Sequence, residues 1–165
     1  MKAPRRVQRL LIGAIVLLPV TGAVALATPG IGIVSAPVHA RGTHAELLNL
    51  HSKAGVKLKT KSSVDFVTQQ IVIAPGGSTG WHGHPGPVLV TIKSGEMTLV
   101  YADDVSCQGR VYKAGESFVD RGDETIHNAL NRGSTNLEFW ATYLVPGAPG
   151  TPARIDAGSP GTCPF

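Results

Sequence analysis

Between residues 43 and 145, no apolar run goes far before glycine, proline or a short polar turn interrupts it. This punctuation limits the fold more than any other feature of the chain. Short runs rich in β-branched and aromatic residues, bounded by turn residues, read as strands. They fall at Glu46 to His51, Val56 to Thr60, Val64 to Ala74, Val88 to Lys93 and Glu96 to Tyr101. Further runs follow at Arg110–Tyr112, Ser117–Val119, Thr125–Asn131 and Leu137–Val145. Ser52-Lys53-Ala54-Gly55 supplies turn chemistry between the first two. No helical periodicity competes after residue 28, so the expected class is all-β, a sandwich or barrel. Lys57, Lys59 and Lys61 alternate with Val56, Leu58 and Thr60, the pattern of a solvated edge strand. Gln69 and Gln70 are adjacent in a central strand, so one of them must point inward and find partners.

Within that pattern, the stretch Gly76 to Gly95 carries chemistry. His82 and His84 stand one residue apart, and alternate residues of a strand face the same way. Their imidazoles therefore converge, and neutral imidazole is the commonest protein metal ligand. Gly76, Gly77 and Gly80 precede the pair and Pro85-Gly86-Pro87 follows it, placing both histidines where a strand meets a loop. By itself the pair reads more readily as two surface histidines near a turn.

A third histidine changes the weighing. The first stretch resembles the first motif of the cupins, G-x5-H-x-H-x3-E-x6-G, with Gly76, His82, His84 and Gly95 in register. A second stretch, Gly115 to Asn131, resembles the second cupin motif, G-x5-P-x-G-x2-H-x3-N, through His127 and Asn131. The resemblance covers Val64 to about Val145 and is nearest to small exported single-domain cupins. It implies a double-stranded β-helix, or jelly-roll barrel, in agreement with the strand pattern. It also implies one divalent transition metal held by His82, His84 and His127. There are departures. Val88 stands where the family carries a metal-binding glutamate, Gly122-Asp123-Glu124 replaces P-x-G, and Gly115 lies one residue early. Three imidazoles suit Zn(II) with one position open. Fe(II), Ni(II), Cu(II) and Mn(II) are alternatives, Mn(II) being disfavoured by loss of the hard carboxylate. The competing reading is a barrel that has lost its metal and keeps the histidines as pocket-lining groups.

The ends of the chain have different compositions. Residues 1–9 carry four positive charges and no acid, and Leu10 to Ala27 is almost wholly apolar. This is the layout of a secretory signal over residues 1–27, with Ala25-Leu26-Ala27 as cleavage site and Val38-His39-Ala40 as a later alternative. A retained membrane anchor is the other reading, since the apolar run is close to the roughly 18–20 residues that span a bilayer. Residues 28–42, rich in Gly, Pro, Ala and Ser, read as a linker, and residues 43–145 as the barrel. His39, His44 and His51 read as solvated. Residues 146–165 hold five prolines and cannot continue a strand; they are expected to wrap the barrel as an extended tail. Cys107 and Cys163 are the only cysteines, and in an exported chain they are expected to pair. Closing so long a loop is worth about 4 kcal/mol in the chain-entropy model.

The four cations of the first nine residues equal the whole net charge of +4, so a mature chain is nearly neutral. Nothing then favours nucleic acid or an acidic membrane surface. No phosphate-cradling loop or zinc-finger spacing is present, and Ser62, Ser63, Ser78 and Ser94 have no triad context. Two function classes remain. One is an enzyme with an open three-histidine metal site, in which Glu96, Tyr101, Asp123 and Glu124 are candidate acid/base groups. The other is a barrel that binds a small molecule without turnover. Gln70, Asp123 and Asn131 are candidate acceptors for the outer ring nitrogens, and Trp81 is either pocket wall or core. Partners reduce to a small-molecule ligand, with a homodimer left open.

Overall fold

The computed structural model describes residues 27–123 and 125–165. The expected signal segment and the candidate Glu124 lie outside these, apart from Ala27. The described chain is all strand and loop. Its elements are β1 (Ile31–Ser35), β2 (Val38–His44), β3 (Asn49–His51), β4 (Lys57–Lys59), β5 (Val64–Ser78), β6 (His82–Gly83) and β7 (Val88–Ser94). After these come β8 (Glu96–Tyr101), β9 (Arg110–Lys113), β10 (Ser117–Asp120), β11 (His127–Leu130), β12 (Leu137–Pro146) and β13 (Ile155–Asp156). Every strand expected between residues 43 and 145 is present, with ends shifted by a few residues.

β5 is the spine. Along its first ten residues it pairs with β12, from Val64↔Pro146 to Ile73↔Leu137. β12 continues outward to β7, and β7 to β10, giving one antiparallel layer. The second layer runs β13, β6, β11, β8, β9. The layers join where β5 reaches β11 at Ser78↔Leu130. The bend that permits this comes at Pro75-Gly76-Gly77. Gly76 has a φ of 76°, in the left-handed region, and a Cβ on Gly77 would stand 2.6 Å from the Ile31 carbonyl oxygen. Eleven of the strands are thus bonded into one sheet folded over itself, the jelly-roll barrel, and β3 and β4 form a separate hairpin.

Alternation fills the barrel. β12 buries Leu137, Phe139, Ala141, Tyr143 and Val145, and β7 buries Val88, Val90 and Ile92. These pack with Ile71, Ile73, Met97 and Leu99 into the main core. A smaller cluster of Trp81, Val100, Leu130 and Cys163 lies under the C-terminal tail. Trp81 is therefore core: it is fully buried, and its indole N–H donates to the Phe165 carbonyl at 2.6 Å.

The N-terminal stretch differs from the expected linker, and the C-terminal tail wraps the barrel as expected. Where residues 28–42 are expected to be a linker, β1 and β2 pair with the outer side of β5. Their side chains are nearly all exposed. Main-chain hydrogen bonds hold them there, joined on β2 by Arg41 and Thr43, which donate to the buried Asp65 carboxylate of β5. The tail crosses the barrel mouth, adds β13 to β6, and is tied by a disulfide between Cys107 and Cys163, 56 residues apart. Among the described residues no helix is long and apolar enough to cross a membrane.

Candidate metal centre

His127 of β11 pairs directly with His82 of β6. Cross-strand partners share a face, and His84, two residues beyond His82, shares it as well. One ring nitrogen from each of the three lies within 4.8 Å of the others. Ring centroids are 4.5 Å apart for His82 and His127, 4.9 Å for His82 and His84, and 5.2 Å for His84 and His127. All three are buried.

Main-chain carbonyls fix which nitrogens converge. His82 Nδ1 donates to the Gly80 carbonyl at 2.8 Å, His84 Nδ1 to Ala153 at 2.7 Å, and His127 Nδ1 to Thr125 at 3.0 Å. Each ring is thereby set as the tautomer whose Nε2 is a free acceptor. The outer nitrogens thus bond to the backbone, and Gln70, Asp123 and Asn131 do not serve them. Gln70 instead donates to Glu138 on the outer face. Asn131 pins the chain after β11 by donating to the Ile73 and Thr135 carbonyls, each at 2.8 Å. Asp123 is exposed.

Burial keeps the imidazoles uncharged. Desolvation, reinforced by repulsion from His127 and Arg154, holds His82 well below the usual imidazole range. Desolvation brings His84 down to about 4 against the upward pull of the Ala153 carbonyl and Asp120. His127 is lowered by desolvation as well, with Asp120 pulling the other way. Neutral imidazole is the form that coordinates.

The histidines stand at the rim of a cavity of about 320 Å³. Its body is apolar: Ile71, Val88, Val90, Met97, Leu99, Phe118 and Phe139 contribute to the wall. Gln69 is the inward glutamine of its pair, and its Oε1 accepts from Tyr143 Oη at 2.9 Å. Desolvation raises the Tyr143 hydroxyl to about 12, so it is a hydrogen donor at neutral pH. Tyr101, also raised to about 12 by burial, sets its ring edge against His127 at 5.8 Å between centroids. Glu96 and Asp123 do not line the cavity.

The chain's two ends complete the rim. Pro29, Gly30 and Ile33 line it on one side, Arg154 and Asp156 on the other. Arg154 donates through Nη2 to the Thr79 carbonyl at 2.9 Å and through Nε to Asp156 Oδ1. Asp120, at the end of β10, is 3% exposed. Its Oδ1 accepts from the Gly122 amide at 3.0 Å, while Oδ2 has no hydrogen-bond partner. That Oδ2 lies 3.3 Å from His127 Nδ1 and 4.0 Å from His84 Nε2. Sequence reasoning missed Asp120 and Arg154. Asp120 sits outside both motifs' ligand positions, and Arg154 lies in a tail with no strand signal.

Three buried acceptor nitrogens aimed at one point, beside a buried carboxylate oxygen without a partner, fit a bound divalent cation. The arrangement is a double-sheet β-barrel with a three-histidine centre at its mouth. Residues 69–145 match the family model described as a cupin domain, and the chain belongs to the cupin superfamily. Solved structures similar to it include a protein with a double-stranded β-helix domain from Klebsiella pneumoniae, at 23% identity and a TM-score of 0.46, covering 68% of this chain and 84% of that one. A cupin domain protein from Bordetella pertussis is 19% identical with a TM-score of 0.44, over 72% and 97%. Peruvianin-I, a cysteine peptidase from Thevetia peruviana latex, is 26% identical with a TM-score of 0.44, over 57% and 56%. Scores this low leave the fold to be read from the chain's own strands. None of the curated proteins compared with the chain matches it.

Proposed function

We propose that this chain is an exported cupin that holds one divalent transition metal on His82, His84 and His127 and binds a small molecule there. The observation that carries the reading is the common tautomer: all three Nδ1–H groups donate to carbonyls, so all three Nε2 atoms are free to coordinate. Three buried acceptors without a cation or donor between them are costly. A bound metal would supply Lewis-acid or oxygen-activating chemistry.

The surrounding residues describe the guest. The apolar wall takes a hydrocarbon body, while Gln69, the Tyr143 hydroxyl and the Arg154 guanidinium orient a polar or anionic head near the histidines. The disulfide fits an oxidising compartment, which supports export. A largely apolar cavity also favours a second reading, a binding module without turnover. Oxygen uptake by metal-loaded protein against a panel of small aromatic and aliphatic acids separates the two.

The test of the metal site is elemental analysis with equilibrium dialysis against Zn(II), Fe(II), Ni(II), Cu(II) and Mn(II). The wild type should bind one ion, and His82→Ala and His127→Ala should lose it. A wild type that takes up none of the five overturns the metal reading and leaves the binding module. A His127→Ala variant with wild-type affinity overturns the ligand assignment.

A further inference from the structure

Residues 28–36 lie outside the stretch that matches the cupin domain, yet they build one side of the cavity. Thr28 is their clamp. Its Oγ1 accepts from the Trp81 amide at 2.7 Å and donates to the Ala157 carbonyl at 3.2 Å. Its own amide donates to that carbonyl at 2.9 Å. Gly80 makes the room: its φ is 71°, and a Cβ there would collide with the Thr28 carbonyl.

The Trp81 N–H and the Gly80 carbonyl belong to one planar peptide unit and point opposite ways. That carbonyl is the acceptor of His82 Nδ1–H. By gripping the N–H, Thr28 fixes the rotation of the plane whose other end orients a histidine of the centre. The arm's far end acts on the other side of the cavity. The Ala36 carbonyl accepts from Gln69 Nε2 at 2.8 Å, and the opposite atom of that amide, Oε1, accepts from Tyr143. Between the two ends, Pro29, Gly30 and Ile33 supply wall, and β1 pairs with Ile73 and Ser78 of β5.

These contacts separate the two cleavage sites of the N-terminal segment. A cut after Ala40 would remove Thr28, all of β1 and the wall, and would strip the β5 edge of main-chain partners. A cut after Ala27 costs one bridge, that of Ala27 to Gly158. The amine it frees is the Thr28 nitrogen that already donates to Ala157, and a charged donor bonds more strongly than an amide. We propose that export processing cuts between Ala27 and Thr28, and that Thr28, as first residue of the mature chain, is a positioning residue for His82. This rests on the export and three-histidine readings above.

The experiment has two arms. Intact mass and N-terminal peptide sequencing of the exported wild type should give Thr28 as first residue. Arg41 as first residue overturns the cut and leaves export standing, whereas full-length chain confined to the membrane fraction overturns both. In the second arm Co(II) is titrated into wild type, Thr28→Val and Thr28→Ser, each checked by mass and by thermal melting. Valine keeps the volume without the hydroxyl, and serine keeps the hydroxyl. Thr28→Val should bind Co(II) about 10–100-fold more weakly, the cost of losing a group that orients a ligand, with a shifted visible spectrum. Thr28→Ser should restore wild-type affinity and spectrum. Wild-type behaviour in Thr28→Val, or equal loss in both variants, overturns the positioning role. A wild type that begins at Thr28 and binds no Co(II) overturns the metal reading and the positioning role with it, and leaves the cut.

Discussion

Each imidazole of the centre gives its Nδ1–H to a main-chain carbonyl, and burial strips each of charge. The consequence is a pH dependence with a definite sign. His84 lies near 4 in the folded chain and near its ordinary 6.5 when unfolded. Between those values the unfolded chain binds protons that the folded chain does not. Stability is therefore fully present above about pH 6.5 and falls as pH drops toward 4. His84 alone accounts for something on the order of 3 kcal/mol, and His82 and His127 act in the same direction. Urea unfolding of the metal-free protein at pH 7 and pH 4.5 should show the loss, and substituting glutamine for the three histidines should flatten it. Strand periodicity was enough to bring His82 and His84 to one face from sequence, while His127 joined them only through the resemblance to the second cupin motif. Their outer partners were not readable, because a carbonyl carries no side-chain signature. Asp120 was hidden for a related reason: only the β7–β10 register puts it opposite Val88.

At the scale of elements, the tail belongs to the site. The Ala153 carbonyl accepts a hydrogen bond from His84 Nδ1, Arg154 donates to the Thr79 carbonyl, and Asp156 pairs with His82 across β13 and β6. The tie between Cys107 and Cys163 holds the tail's far end against the small cluster of Trp81, Val100 and Leu130. Cys163→Ser should lower unfolding stability by about 2–5 kcal/mol, measured by denaturant titration. A chain ending after Gly150 should bind metal about 10–100-fold more weakly, because His84 loses the carbonyl that orients it. Unchanged affinity in that truncation would remove the tail from the centre. Sequence identified the cysteine pair from parity and the tail from its prolines. It did not place the tail over the barrel mouth, since two residues of strand at Ile155–Asp156 fall below any periodic signal. Nor did it find β1 and β2, whose mostly exposed side chains show no strand alternation and whose ties to Asp65 through Arg41 and Thr43 depend on register.

At the scale of the molecule, the disulfide between Cys107 and Cys163 is compatible with an oxidising compartment. Export is the expectation that follows. Intact-mass measurement of protein recovered from the periplasm or medium should show a chain shortened by 27 to 40 residues at its N-terminus; full-length chain confined to the membrane fraction would mean an anchor. The all-β class and the barrel between residues 43 and 145 were legible because turn residues bound nearly every strand. The layering that makes the cavity depends on long-range register, above all β12 between β5 and β7, which no local pattern encodes. The central claim is that one metal sits on His82, His84 and His127. Anomalous X-ray scattering from crystals of the metal-loaded protein, recorded at that metal's absorption edge, tests it most directly. One strong peak is expected, about 2.0–2.3 Å from the Nε2 atoms of all three histidines. No peak there, or a peak bound through Nδ1 or at some other cluster, would contradict it.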